Sequence, residues 1–410
     1  MRSIAVVGAS LAGLSAVRAL REQGFTGDLV VVGEEVHRPY DRPPLSKEFL
    51  AGRVDVSDLA LETDSESLGA RWLLGSRATS LDAATREVTL DDGSHLTADG
   101  IVIATGARAR ILPGTDSLAG VHTLRHLDDA VALRSELASG SRLVVIGAGF
   151  IGSEAASTAH ALGVDVTVVE AMTTPLAGPL GVEMGAVVSA LHTDHGVRLV
   201  CGTAVRRLTG QTRVTGVDLV DGRHLPADVV LVGIGAIPNI EWLKGSGLAL
   251  GDGVLCDAGG STNRPGIVAV GDCAAWMDSW LGRHHRVEHW TGAFERPTVA
   301  MASLLSGTSA GAAVRPPYFW SEQYDVRLQF AGTSRPGDVV TIEIGDAAQR
   351  SFLASYRRAG DLVAVLAMDQ PRQFTRWRRQ LATGPQTTHT PTTAVLTNAA
   401  MTIPVAEERP

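Results

Sequence analysis

One pattern occurs twice in this chain, and few folds accommodate it. Ile4-Ala5-Val6-Val7 leads into Gly8-Ala9-Ser10-Leu11-Ala12-Gly13, then an Ala- and Leu-rich stretch to about Glu22, then Leu29-Val30-Val31-Val32, ending at Glu34 and Glu35. Gly147 lies 139 residues after Gly8, and there the pattern returns. Leu143-Val144-Val145-Ile146 precedes Gly147-Ala148-Gly149-Phe150-Ile151-Gly152, followed by Ser153-Glu154, an Ala-rich stretch, and Val166-Thr167-Val168-Val169 ending on Glu170. Short β-branched runs of this kind form strands buried on both faces, and the stretches between them read as helices. Strand, glycine turn, helix, strand and acid together form a dinucleotide-binding unit. Glycines let the backbone approach a pyrophosphate, the helix N-terminus offers free N–H groups, and the acid accepts from ribose hydroxyls. Glu34 lies 21 residues beyond Gly13, and Glu170 lies 18 beyond Gly152.

The second copy is complete. In the first, Ser10 replaces the middle glycine, which leaves open an ordinary βαβ unit that binds nothing. A nucleophile elbow on Ser10 is disfavoured by Ala12, which stands where that motif needs a second glycine. Two copies mean two nucleotides, or a duplication with one inactive copy; the former fits an enzyme that keeps one dinucleotide and exchanges another. Further apolar runs end in small residues: 101–103 before Ala104 and Gly106, 229–232 before Gly233-Ile234-Gly235, and 267–270 before Gly271-Asp272. Asp272, at the end of a parallel strand, is placed either to bind a hydroxyl chain or to cap the next helix.

Composition removes several classes. A formal charge of −8 lacks the basic footprint of nucleic-acid binding. Cys201, Cys256 and Cys273 contain no CxxC, which excludes a four-cysteine zinc site or an all-cysteine iron–sulfur cluster on this chain. Any one-electron partner carries its own iron. No run reaches the ~18 apolar residues of a membrane span. Met1-Arg2-Ser3 before an apolar run imitates a signal peptide, but Gly8, Gly13 and the charges Arg18, Arg21 and Glu22 break it, predicting a cytoplasmic protein. His122/His126 and His192/His195 have helical spacing without a third ligand and read as surface histidines; 283–286 (Arg-His-His-Arg) reads as a basic loop.

Together these motifs resemble the FAD-dependent reductases with two dinucleotide folds. Within them, residues 1–380 resemble the NADH-dependent ferredoxin reductases that serve ring-hydroxylating dioxygenases and haem-thiolate monooxygenases. The most specific stretch is Arg38-Pro39-Tyr40-Asp41-Arg42-Pro43-Pro44-Leu45-Ser46-Lys47. Disulfide reductases of this fold carry redox cysteines in that region; their absence here excludes a dithiol mechanism. The resemblance implies an α/β fold with two Rossmann-like units and a C-terminal α+β domain built on an antiparallel sheet. It implies bound FAD, NADH as substrate, and an external [2Fe-2S] ferredoxin that feeds an oxygenase. It also implies a monomer or weak dimer. The alternatives kept beside it are an NADH-binding flavoprotein of slow turnover resembling apoptosis-inducing factor, or a reductase of rubredoxin or oxygen.

Carried over by motif, Gly8, Ser10, Leu11, Ala12 and Gly13 face the FAD pyrophosphate and Glu34 the adenosine ribose. Arg42 and Lys47 fall at the pyrophosphate and isoalloxazine, Ala78 and Arg125 at the adenine end, Asp272 at the ribityl chain. Ala104, Gly106, Gly271 and Glu288 belong to the same site, and Trp290 lies at the pyrimidine edge. Lys47 is one of two lysines among 36 basic residues, and a compact ammonium is not replaced by a guanidinium. NADH falls to Gly147, Gly149, Phe150, Ile151, Gly152 and Gly233-Ile234-Gly235, with Glu154 near the nicotinamide and Glu170 at the ribose. A carboxylate there, with no arginine in 171–174, repels a 2′-phosphate, so NADH is preferred over NADPH. Lys47, Glu154 and Trp320 are the candidate catalytic residues. Two departures from the family stand out. Gly178 occupies a segment that usually carries an arginine, which predicts weaker or altered NADH binding. Arg296-Pro297 replaces Gln-Gly, which predicts a later start for the helix that follows.

The units interleave: an FAD-binding domain over 1–112 and 243–314, an NADH-binding domain over 113–242, and a C-terminal domain over 315–382. The last shows strand-like runs at 326–331, 339–344, 351–357 and 362–367 separated by Pro336-Gly337 and Gly360-Asp361. Residues 315–381 hold ten arginines and seven acids, and Arg372, Arg376, Arg378 and Arg379 gather on one helical stretch. That stretch is either a solvated face or part of a dock for an acidic ferredoxin. The Thr-rich tail, 383–410, reads as disordered.

Overall fold

The computed structural model describes residues 1–63, 66–115, 118–278, 281–311 and 316–382; the tail reading falls outside these residues. The first unit is a five-stranded parallel sheet in the order Ile267–Ala269, Gly100–Ile103, Ser3–Val7, Asp28–Gly33, Ala70–Leu74. The second repeats it as Arg198–Cys201, Asp165–Glu170, Arg142–Ile146, Val229–Val232, Val121–His122, again all parallel. Each unit also carries a three-stranded antiparallel meander just before its last internal strand, at residues 78–97 and 205–226. The duplication therefore extends well beyond the glycine motif.

The central strands are apolar on both faces, as parallel strands covered by helices require. Ile4, Val6, Val31, Ile101 and Val268 are essentially inaccessible, and so are Val145, Val168 and Val230. Helices Leu11–Glu22 and Phe150–Ala161 leave the glycine turns and pack back on their sheets. The C-terminal chain forms a five-stranded antiparallel sheet in the order Tyr318–Gln323, Val326–Gly332, Asp361–Met368, Ser351–Arg358, Val339–Asp346. Helix Pro371–Ala382 closes one face through buried Phe374 and Leu381. On the other face Phe330 and Tyr356 share a core with Tyr40, Phe49 and Ala155, joining this sheet to the second unit.

Three sequence expectations are corrected. Pro297 lies inside helix Trp290–Ser306, whose start is not displaced. The lost bond and clash cost about 3 kcal/mol in a helix interior. Burial of Pro297, Ala300, Met301 and Leu304 opposes that cost and carries the helix through. Arg283–Arg286 is a strand paired with Ala274–Asp278, not a loop. His192 is not on the surface. It is fully buried, with Nδ1 2.7 Å from the Tyr324 hydroxyl and Nε2 3.2 Å from Ser153 Oγ, and burial pushes it down to about 4. Among the described residues no group of three or more His, Cys, Asp or Glu could hold a metal ion, and no helix is long and apolar enough to cross a membrane.

Candidate functional site

The two glycine turns have the same construction. Gly8 has φ +123°, and a Cβ there would lie 2.0 Å from Ala104 O; Gly147 has φ +101°, and a Cβ would lie 2.3 Å from Gly233 O. The helix glycines repeat the match, since a Cβ on Gly13 would strike Gly8 O and one on Gly152 would strike Gly147 O. These four positions require glycine because strand, turn and helix meet backbone to backbone. The middle position differs: a Cβ on Gly149 meets nothing within 4 Å. Ser10 fills the equivalent place in the first turn, where its Oγ accepts from Arg42 Nε at 3.3 Å. Within the protein, then, no backbone contact demands glycine at the middle position; what limits a side chain there is how closely a ligand's pyrophosphate approaches. Ser10 and Gly149 are also the N-caps of the two helices, and neither has a side-chain cap, so the first N–H groups are open to a ligand.

Both turns open on one continuous cleft of about 1480 Å³. Ordinary ligand pockets hold ~300–1,000 Å³, so this space suits two extended ligands. Gly8, Ser10, Leu11, Ala12, Glu34, Ala78, Ala104, Gly106, Gly271 and Glu288 line it from the first unit. Gly149, Phe150, Ile151, Gly152, Gly233 and Gly235 line it from the second, and Phe319 and Trp320 from the C-terminal sheet. Gly13 and Gly147 lie beneath the turns as packing glycines, and Ile234 packs on the second unit's core.

Lys47, Glu154 and their neighbours stand where the units meet. Lys47 Nζ lies 2.6 Å from Glu154 Oε2, and Ser46 Oγ donates to the same oxygen at 2.5 Å. Ser321 Oγ, from the C-terminal sheet, donates to Oε1 at 2.7 Å. All four residues are buried. Removing one partner of a buried ion pair strands a charge and costs ~3–5 kcal/mol.

Asp272 and Arg125, assigned by resemblance to different parts of one ligand, are paired with each other. Arg125 Nη2 lies 2.6 Å from Asp272 Oδ2, while its carbonyl accepts from Arg42 Nη1 at 2.6 Å. Asp272 and the other acids around Arg125 hold its guanidinium up although burial opposes the charge. Arg125 thus joins Arg42 and Asp272 in one hydrogen-bonded group on the wall of the cleft, which Ala78 also lines. Arg42 Nη2 also donates to Glu35 Oε1 at 2.6 Å. Burial would raise Glu35, but His126, Arg42 and Tyr40 bring it down to about 2.

Glu170 does not line the cleft. Its Oε2 accepts from Ala148 N at 2.9 Å and its Oε1 from Met172 N at 2.8 Å, so it braces the second glycine turn from below. Glu34 stands exposed, one residue past the strand Asp28–Gly33. Trp290 Nε1 donates to Asp41 Oδ1 at 2.7 Å; its ring stacks on Phe294 at 5.2 Å and meets Trp320 edge-on at 6.0 Å. Glu288 pairs with Arg286 at the rim. Gly178 opens helix Ala177–Asp194, with nothing within 4 Å of a Cβ there.

Sequence reasoning passed over Glu35, Asp41, Ser46 and Ser321. The first three lie in or beside the 38–47 stretch, whose density of polar residues was the available signal. Ser321 carried none beyond its place next to Trp320.

Nothing in the donor set conflicts with two dinucleotides. Two glycine turns, two uncapped helix N-termini and a cation beside the first turn suit FAD and NADH.

Residues 2–296 match the pyridine nucleotide-disulphide oxidoreductase family, and residues 318–401 match the reductase C-terminal family. The chain is 39% identical over 376 residues to the ferredoxin reductase component of chlorobenzene dioxygenase from Cupriavidus sp. (strain PS12), covering 90% of each chain. It is 38% identical over 385 residues to rhodocoxin reductase from Rhodococcus erythropolis, covering 93% of this chain and 90% of that one. Among solved structures, it superposes on the covalent putidaredoxin reductase–putidaredoxin complex with a TM-score of 0.89 and 32% identity, covering 93% of each chain. The ferredoxin reductase for the CYP199A2 system from Rhodopseudomonas palustris gives 0.88 and 34%, covering 93% of this chain and 95% of that one. With relatives of this identity along nine-tenths of its length, the chain belongs to the pyridine nucleotide-disulphide oxidoreductase family, among the ferredoxin reductases of oxygenase systems.

Proposed function

We propose that the protein takes electrons from NADH and passes them, through bound FAD, to a [2Fe-2S] ferredoxin that supplies an oxygenase. The observation that carries this reading is the single cleft joining both glycine turns, with Lys47 and Glu154 between them. Bound FAD supplies the conversion from a two-electron hydride donor to a one-electron acceptor. The chain's task is to bind and orient. The Gly8–Gly13 turn, Ser10 and Arg42 hold one pyrophosphate; Glu34 takes the adenosine ribose, and Asp272 with Arg125 the ribityl segment. The Gly147–Gly152 turn, braced by Glu170, would hold NADH, with Lys47 and Glu154 in the cleft between the two turns. Trp290 and Trp320 wall off the remaining edge. The domains divide at 1–112 with 243–314, 113–242 and 315–382, and the protein works in the cytoplasm.

The test has two stages. The purified protein is yellow, with an FAD absorbance band near 450 nm, and NADH bleaches it under anaerobic conditions. Added ferredoxin then supports NADH-dependent reduction of cytochrome c. A colourless protein that FAD does not turn yellow overturns the reading, and bleaching without ferredoxin turnover limits it to NADH oxidation.

A further inference from the structure

We infer that Ser321 is a positioning residue for Glu154, so that the C-terminal sheet completes the ion pair begun by the two dinucleotide units. The inference rests on the proposed function, which places Glu154 and Lys47 at the NADH contact.

Strand Tyr318–Gln323 is two-faced, as alternation along a strand requires. Phe319 and Ser321 turn towards helix Phe150–Ala161. Tyr318 and Trp320 share the opposite face, with their rings stacked at 6.0 Å and the Arg378 guanidinium 4.2 Å from the Tyr318 ring centre. The first face meets the helix in register. Phe319 packs on Phe150 at 4.5 Å, Ser321 donates to Glu154, and just past the strand Tyr324 N donates to Ser157 Oγ at 2.7 Å. Phe150, Glu154 and Ser157 are spaced i, i+4 and i+7, one face of a helix. The sheet is therefore seated on the helix that carries Glu154, at three successive points.

The hydrogen bonding around Glu154 divides its two oxygens between domains. Oε2 takes Ser46 and Lys47, both from the first unit; Oε1 takes Ser321 alone among the described residues. Ser321 Oγ accepts from Gln323 Nε2 at 3.1 Å, which leaves its own proton free for Glu154. Ser321 is fully buried, Gln323 is 1% exposed and Glu154 5%, so there is little access for water to replace the lost donor. A buried acceptor without its donor bears the full desolvation penalty. The carboxylate is then free to turn, and the Lys47 ammonium loses the fixed oxygen that holds it.

The experiment compares Ser321→Ala with the wild-type holoprotein and repeats the substitution in a Glu154→Gln background. Two quantities are read: the limiting rate of anaerobic flavin reduction by NADH, and the amine labelling of Lys47 measured by mass spectrometry. Lys244, the chain's other lysine and an exposed one, is the internal reference for labelling. Loss of one hydrogen bond to a charged group predicts a limiting rate lower by about tenfold, with NADH affinity little changed. Lys47 labelling rises several-fold relative to Lys244. In the Glu154→Gln background the same substitution changes the rate by less than about twofold, because coupled residues are not additive. Unchanged rate and labelling in Ser321→Ala, or a full independent effect in the double variant, overturns the inference. A wild-type protein that NADH does not bleach overturns the proposed function instead, and the labelling comparison still decides the placement of Lys47.

Discussion

Trp290 donates from its indole nitrogen to Asp41 at 2.7 Å, across 249 residues of sequence. That bond ties the helix Trp290–Ser306 to the polar stretch leading to Lys47, and it fixes one wall of the cleft. Burial pushes Asp41 up, while the Trp290 bond and the nearby Lys47 charge pull it back. Asp41→Ala should lower stability by about 1–2 kcal/mol and alter the visible circular dichroism of bound flavin. Asp41→Asn keeps an acceptor for the indole and should restore the dichroism. Identical spectra for all three proteins would show that the indole is held by packing alone.

Acid lability should centre on Glu35. Its carboxyl is depressed to about 2, against an ordinary value near 4.5, by His126, Arg42 and Tyr40 acting against burial. A depressed carboxyl contributes stability above its unfolded value, and that contribution disappears as pH falls from about 4.5 to about 2. At ~1.4 kcal/mol per unit this is about 3 kcal/mol at most. Glu35→Gln should flatten the stability profile across that window and, by releasing Arg42, weaken FAD retention. Urea midpoints between pH 2.5 and 6 check the first effect, and release of flavin fluorescence checks the second.

Glu170 bears on cofactor choice through two routes. If NADH lies on the turn that Glu170 braces, the carboxylate's charge would disfavour a 2′-phosphate there, and its two oxygens hold the backbone at Ala148 and Met172. Glu170→Ala should therefore lower kcat/KM for NADH and narrow the preference over NADPH by about tenfold. Glu170→Gln keeps an acceptor for one of the two amides, so it should narrow the preference with a smaller loss for NADH. A wild type that uses both cofactors equally well removes the argument.

The duplicated dinucleotide fold was legible because its determinants are local. Gly8, Gly13, Gly147 and Gly152 are each dictated by a backbone approach within a few residues or at the adjoining strand. The Arg125–Asp272 pair, the Trp290–Asp41 bond and the Ser321–Glu154 bond were not legible. Each joins residues 147 or more apart, and no periodicity records such a contact. Pro297 misled for a related reason: a local helix rule gave way to tertiary burial of the helix face. Ser10 lies between these cases. The sequence showed a departure from a motif, and the geometry at Gly149 shows that no protein atom demands glycine at that position.

Electron delivery should depend on the C-terminal arginines, while flavin reduction by NADH should not. Arg372, Arg376 and Arg379 are exposed on helix Pro371–Ala382, and Arg378 covers Tyr318, which stacks on cleft-lining Trp320. The basic helix is thus two rings away from the cleft, on the face of the strand that points away from Glu154. Small, transient redox complexes rely on charge complementarity more than on buried area. Replacing Arg376 and Arg379 with Glu reverses two charges that would face an acidic ferredoxin. KM for ferredoxin should rise several-fold, and its dependence on salt should flatten because steering is lost. Ferricyanide reduction by NADH needs no dock and should stay within about twofold of wild type. The strand Arg283–Arg286 is the competing basic surface, but Arg286 is already paired with Asp252 and Glu288. Unaltered ferredoxin kinetics at low salt would remove the helix as the dock and shift attention to Arg283.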